Sequence, residues 1–337
     1  MNDFMPSGFP LTFHPSTFED PIQKEQKKVR RAARLIAVPL LFLVVVSRYW
    51  FVWLSGILSL FGISAQETYK FVFDAGTREA VQILISIILF LVPFSLSVKF
   101  SKNRLSDLIP TAKVSFREGI PLFLFGAGFS AFANIATALS GQVFQFFGVE
   151  YSVDFGESPR GIYGFFLAVL STAVVPALVE EFATRGVVMG FLKPFGDGFS
   201  ILVSAILFGA LHGNFQQMPF AFLMGLVLGY IRVATGSIWV CVWLHGFNNL
   251  ISTLFDYFFT RLTAWEKNAA FLVIWMVLLL VGILSSALLK RERSSNLLAQ
   301  PENPEISEKQ RYQWFFSSAW VVLFLVFVLW ESIYYFF

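Results

Sequence analysis

Long apolar runs separated by short polar connections occupy most of this chain, and their lengths are those of bilayer-crossing helices. The runs extend from Leu35 to about Ser64, Val81 to Val98, Ile120 to Leu139, Gly161 to Gly190, Phe199 to Leu211, Pro219 to Val233, Ser237 to Phe259, Ala269 to Leu289 and Phe315 to Phe337. Two of these nine, Phe199 to Leu211 and Pro219 to Val233, are short for a span. The pattern predicts an all-α fold, a polytopic transmembrane helical bundle of about eight or nine spans. Arg48 interrupts the first run, which reads as one long helix whose arginine faces protein or water rather than lipid. That run is too long for a signal-peptide core and is expected to stay as an anchor. The stretch from Arg291 to Gln310, rich in Ser, Asn, Pro and charge, reads as a disordered polar linker.

Composition supports the membrane reading: 56% of residues are hydrophobic, only 14% are charged, and mean hydropathy is +0.67. The net charge of +3 is carried by basic residues clustered beside apolar runs, which argues against nucleic acid as a partner. Instead they set topology. Lys24, Lys27, Lys28, Arg30, Arg31 and Arg34 precede the first run, Lys99, Lys102, Arg104, Lys113 and Arg117 lie in one connection, and Lys290, Arg291, Arg293, Lys309 and Arg311 in another. With nine spans all three fall on one side, the expected cytoplasm, so the N-terminus is cytoplasmic in an integral, multi-pass protein. The connection from Glu150 to Arg160, with Asp154 and Glu157, falls on the opposite side. The one cysteine, Cys241, excludes an intrachain disulfide. Residues 1–34 thus form a basic tail, 35–160 a first group of helices, 161–260 a core group, and 261–337 a last group containing the linker near 291–310.

The core group holds the unusual residues. Glu180 and Glu181 sit together in an apolar run, and an intramembrane carboxylate marks a functional site with a nearby partner. Of the three histidines, His14 lies in a polar aromatic tail, while His212 and His245 lie inside apolar runs. Counted from the cytoplasmic ends of their helices at 1.5 Å per residue, Glu180 lies roughly 15 Å deep, His212 roughly 20 Å, and His245 and Asn249 roughly 12 and 18 Å. Four polar groups from three helices share one level. Glu181 and Arg185, four apart, suit an intrahelical ion pair, which leaves Glu180, rotated about 100° away, free for another partner. Pro176 removes a backbone donor four residues before Glu180 and is expected to kink the helix. His245 and Asn249, four apart, face one cavity between the core helices. Gly186 with Gly190, Gly209 with Gly213 and Gly225 with Gly229 are spaced for close helix contact.

Glu180-Glu181-Phe-Ala-Thr-Arg185 matches an EExxxR motif, Phe208-Gly-Ala-Leu-His212 an FxxxH motif, and His245-Gly-Phe-Asn-Asn249 an HxxxN motif. In order and spacing this resembles the CAAX prenyl protease type II family, also called the CPBP or Abi family of intramembrane proteases. The resemblance spans about Gly161 to Phe259 and implies a catalytic helical core in 161–260. It implies an endopeptidase that cuts membrane-associated, CAAX-like or other lipid-proximal substrates. Glu180 would be the general base, His212 its helper, His245 and Asn249 the oxyanion donors, with Glu181, Arg185 and Phe208 in support.

No cofactor is required on this reading. A hydrolytic zinc site held by Glu180, His212 and His245 stays open, since two histidines and a carboxylate also form such a ligand set. Two other classes compete: a non-catalytic immunity or regulatory protein of the same fold, and a proton-coupled transporter, which would show paired halves with broken helices. The expected partners are a membrane-bound peptide or protein substrate and the lipid bilayer itself. Oligomeric state is not encoded in any of these features.

Overall fold

The computed structural model describes residues 20–146, 161–259, 262–292 and 298–334. His14 and the acidic connection Glu150 to Arg160 lie outside them. The described helices are α1 (Pro21–Ser59), α2 (Ala65–Val72), α3 (Ala75–Ser101), α4 (Phe116–Phe146), α5 (Gly161–Phe195), α6 (Asp197–Leu211), α7 (Met218–Thr235), α8 (Trp239–Phe258), α9 (Ala264–Glu292), α10 (Glu308–Phe316) and α11 (Ala319–Tyr334). A single turn, Leu105–Leu108, links α3 to α4. Among the described residues no strand forms, and a lone bridge joins Thr111 to Ser237. The all-α, polytopic bundle is as the apolar pattern predicts.

The span count differs. Among the described residues six helices, α1, α3, α4, α5, α7 and α9, are long and apolar enough to cross a membrane, and a seventh span results if α10 and α11, bent by 68°, count as one. Two expected spans fall short for physical reasons. Helix α6 has only 15 residues. Helix α8 has 20, but His245, Asn248, Asn249 and Asp256 dilute its apolar character.

Helix α1 begins at Asp20, whose carboxylate accepts from the Ile22 amide, with Pro21 at the first helical position. It then runs unbroken for 39 residues past Arg48, as expected for one long helix. Its buried face, Val29, Ala33, Ile36, Leu40, Leu43 and Val44, repeats every three or four residues and packs with Phe90, Phe94 and Val98 of α3 and Val321, Phe324 and Val328 of α11. Pro39 inside α1 cannot donate to the carbonyl of Leu35, and the Ser97 hydroxyl of α3 donates there instead. A second core joins Leu122 and Ala127 of α4, Leu228 and Ile231 of α7, and Cys241 and Leu244 of α8.

Glycine lets several helices touch. A Cβ at Gly225 of α7 would lie 2.8 Å from the Cα of Ala205 on α6, and one at Gly128 of α4 would lie 2.5 Å from the Cα of Gly282 on α9. Gly190 packs on the backbone of Leu108 and Gly186 on Ile109, so that pair receives the short turn rather than another long helix. Gly213 departs from the packing expectation. It meets nothing within 4 Å and adopts φ +62°, a left-handed turn residue ending α6.

The stretch expected as a disordered linker is held in place from residue 298 onward. The Ala299 amide donates to Asp197 Oδ2 at 2.7 Å, the Asp197 amide to the Ala299 carbonyl at 3.0 Å, and the Glu302 amide to the Pro194 carbonyl at 3.0 Å. Arg311, fully buried, donates through Nε to Glu25 Oε1 at 3.1 Å and through its other nitrogens to the carbonyls of Ile306 and Asn303. Asn303 Nδ2 donates to Glu25 Oε2 at 2.6 Å. Polar composition signals a linker, but it does not reveal that Glu25 and Asp197 wait as partners for it.

Replacing Arg311 by Leu is expected to destabilise the detergent-solubilised protein by about 3–5 kcal/mol, because Glu25 is left buried and unpaired. Thermal unfolding checks this, and the double variant Glu25→Leu/Arg311→Leu should lose less than the two single variants together. Gly225→Ala should lower Tm through a loss of about 1–3 kcal/mol, as α6 and α7 are pushed apart. Gly141→Ala, at a glycine with nothing within 4 Å, should leave Tm unchanged or raise it.

Candidate active site

Helix α5 is not a regular α-helix. It widens into π turns at Leu170–Val174 and Phe182–Val188, on either side of the segment Val175–Glu181 that ends in the two glutamates. The first wide turn lies just before Pro176, whose ring would clash with the carbonyl four residues back in a regular helix. That carbonyl, on Thr172, is left without its helical donor, and Asn249 Nδ2 of α8 donates to it at 3.0 Å. The Thr172 and Thr253 hydroxyls meet at 2.7 Å beside it, and Thr253 Oγ1 donates to the Asn249 carbonyl. Gly246 faces Ala177, 3.5 Å from where a Cβ would reach that residue's Cβ. Helices α5 and α8 are therefore locked together along the face that carries Thr172, Asn249 and Thr253.

The second wide turn carries Arg185, which is completely buried. Its Nη1 donates to Glu181 Oε1 at 3.0 Å and to Thr184 Oγ1 at 2.7 Å, and its guanidinium lies 4.3 Å over the ring of Phe208. The Arg185 carbonyl accepts from Arg232 Nε of α7 at 3.1 Å. The predicted ion pair between Glu181 and Arg185 is present, with both side chains fully buried.

Glu181 does more than hold Arg185. The same oxygen, Oε1, lies 2.9 Å from His245 Nδ1. An ionised carboxylate only accepts hydrogen bonds, so a proton on His245 Nδ1 faces Glu181 and Nε2 is turned the other way. Nε2 lies 3.9 Å from Glu180 Oε2, an oxygen with no hydrogen-bond partner among the described residues. The Glu180 side chain is 18% exposed, where that of Glu181 is fully buried. One carboxylate is thus structural and the other is available.

His212 caps α6, with Nδ1 2.9 Å from the Phe208 carbonyl. Phe208 contacts both imidazoles edge-on, its ring centroid 5.0 Å from that of His212 and 5.9 Å from that of His245. Asn214 fixes the turn after His212. Its Nδ2 donates to the His212 carbonyl at 2.8 Å and its Oδ1 accepts from the Gln217 amide at 2.8 Å.

The seven predicted residues fall on α5, on α8 and at the end of α6, with Arg185, His212 and His245 in contact with Phe208, but two relations differ from the motif reading. The imidazole hydrogen-bonded to a glutamate and next to Glu180 is that of His245, whereas the hydrogen bond of His212 goes to its own helix. The amide of Asn249 is tied to Thr172. Among the described residues no group of three or more His, Cys, Asp and Glu side chains is placed to hold a metal ion, so the zinc arrangement of Glu180, His212 and His245 is not assembled. Thr172, Thr253, Asn214 and Arg232 were not singled out from the sequence. The proline four residues after Thr172 is the one local signal that could have pointed to it.

No curated protein and no solved structure matches the chain. Residues 162–251, the stretch that carries all seven motif residues from Glu180 to Asn249, match the Rce1-like family, described as type II CAAX prenyl endopeptidase Rce1-like.

Proposed function

We propose that this protein is an intramembrane endopeptidase that hydrolyses a peptide bond in membrane-associated substrates, CAAX-like or otherwise close to the lipid surface. The observation that carries the reading is the relay Arg185–Glu181–His245–Glu180, with 2.9 Å from Glu181 to His245 Nδ1 and 3.9 Å from His245 Nε2 to Glu180. With His245 as imidazolium, two carboxylates balance two cations, and a neutral cluster is the least costly arrangement in a low-dielectric medium.

The chemistry follows from these placements. Glu180 removes a proton from a water held with His212, and the hydroxide oxygen bonds to the scissile carbonyl carbon. The carbonyl oxygen becomes an oxyanion and accepts from His245 Nε2–H and from an Asn249 Nδ2–H. Glu180 then returns its proton to the nitrogen as the C–N bond breaks, leaving a carboxylic acid and an amine. Glu181 keeps the imidazole oriented throughout, and Arg185 holds Glu181 in place. With the basic N-terminal segment in the cytoplasm, the site faces the cytoplasmic leaflet, where a lipid-bearing substrate enters sideways between helices.

Glu180→Gln should reduce cleavage of a fluorogenic, farnesylated peptide ending in a CAAX sequence by about 10²–10⁴-fold with Tm unchanged, as expected for loss of a general base. Retained cleavage would remove Glu180 from the mechanism. Asn249→Ala should lower kcat by about 10²-fold or more if the amide meets the oxyanion. A loss of Tm with kcat intact would reduce Asn249 to its tie with Thr172.

A further inference from the structure

Helices α1 and α11 lie outside the family-matched stretch, yet they enclose a cavity of about 210 Å³ together with the end of α6. It is lined by Val44, Ser47, Arg48, His212, Val328 and Glu331 among others. Arg48 Nε pairs with Glu331 Oε2 at 3.0 Å, and its guanidinium lies 5.0 Å over the ring of Tyr334. Glu331 is 8% exposed, and its second oxygen, Oε1, is buried with no hydrogen-bond partner among the described residues. The Arg48 side chain is 38% exposed and marks the mouth.

A charged pair placed so far along α1 needs a polar surrounding. Arg48 is 14 residues beyond Arg34, about 21 Å further along the helix axis. Charged groups at such positions face protein partners or a water-filled cavity. The carboxylate oxygen that remains asks for a donor small enough to enter, and the cavity has room for several waters at about 30 Å³ each. Its inner wall includes His212, the imidazole whose Nδ1 is fixed on Phe208 and whose Nε2 is its other ring nitrogen. Peptide hydrolysis consumes one water per turnover, and lipid does not supply it.

We propose that this cavity is the port through which water reaches His212, and that Arg48 and Glu331 are the residues that keep it hydrated. The inference rests on reading the Glu180 cluster as hydrolytic. It gives the first and last helices a task in the reaction: they conduct its co-substrate, while α5, α6 and α8 perform the bond chemistry. Arg48 and Glu331 act through His212 and touch no reacting atom.

Two measurements test it on the full chain in membrane vesicles. In a Cys241→Ala background, Val44→Cys and Val328→Cys place a thiol on the buried wall of the cavity. A charged methanethiosulfonate reagent should modify both, and more slowly when Arg48→Leu and Glu331→Leu are added together. In the native background, Val44→Phe and Val328→Phe fill the cavity without touching the ion pair. Each should lower kcat for the farnesylated peptide by at least about tenfold with KM unchanged. An active protein whose Val44→Cys and Val328→Cys thiols stay unmodified overturns the port while leaving the protease reading intact, as does an unchanged kcat in the filled variants. A raised KM with kcat intact overturns it in favour of a substrate pocket. A native protein that cleaves nothing while both thiols are modified overturns the hydrolytic reading, and the delivery role with it.

Discussion

Inside a bilayer every backbone carbonyl must find a donor within the protein, because lipid offers none. Most of this chain meets that constraint with regular helix. At Pro39 and Pro176, where proline breaks the pattern, the freed carbonyl becomes a fastening point. The carbonyl of Leu35, released by Pro39, holds Ser97 and so ties α1 to α3, and that of Thr172, released by Pro176, holds Asn249 and so ties α5 to α8. The second tie sets the register of the two helices that carry Glu180 and His245. It acts together with the Thr172–Thr253 and Glu181–His245 hydrogen bonds, which join the same two helices.

The same constraint applies with greater force to charge. Arg185 is fully buried, and it is tolerable because Glu181, Thr184, the Gly225 carbonyl and the face of Phe208 surround it. Glu181 in turn serves Arg185 and His245 through one oxygen. A single carboxylate thus neutralises a cation and orients an imidazole, which frees its neighbour Glu180 from structural duty. Two adjacent glutamates on one helix have different surroundings because consecutive side chains point about 100° apart.

Part of this was legible from residue spacing. The four-residue step from Glu181 to Arg185 announced their pair, and similar depths along three apolar runs are consistent with the approach of Glu180 to His245 and of both histidines to Phe208. Contacts between residues distant in sequence left no such mark. Glu181 and His245 are 64 positions apart, so nothing local distinguishes a histidine bound to Glu181 from one bound elsewhere. The span count holds approximately, and the difference lies at α6, which has 15 residues, and at α8, which His245, Asn248, Asn249 and Asp256 make more polar. The stretch from residue 298 to Gln310 is held in place, against the expectation of a disordered linker, because polarity describes a segment's composition and not the carboxylates waiting for it.

One of those distant contacts bears on how the chain is made. Glu25 lies near the start of α1, and Arg311, its partner, follows 286 positions later on α10. Until α10 has been made, α1 carries an acid whose counter-ion does not yet exist. A molecule truncated before Arg311 therefore displays an unpaired carboxylate on α1, and the contact forms only when two helices far apart in the chain are both present.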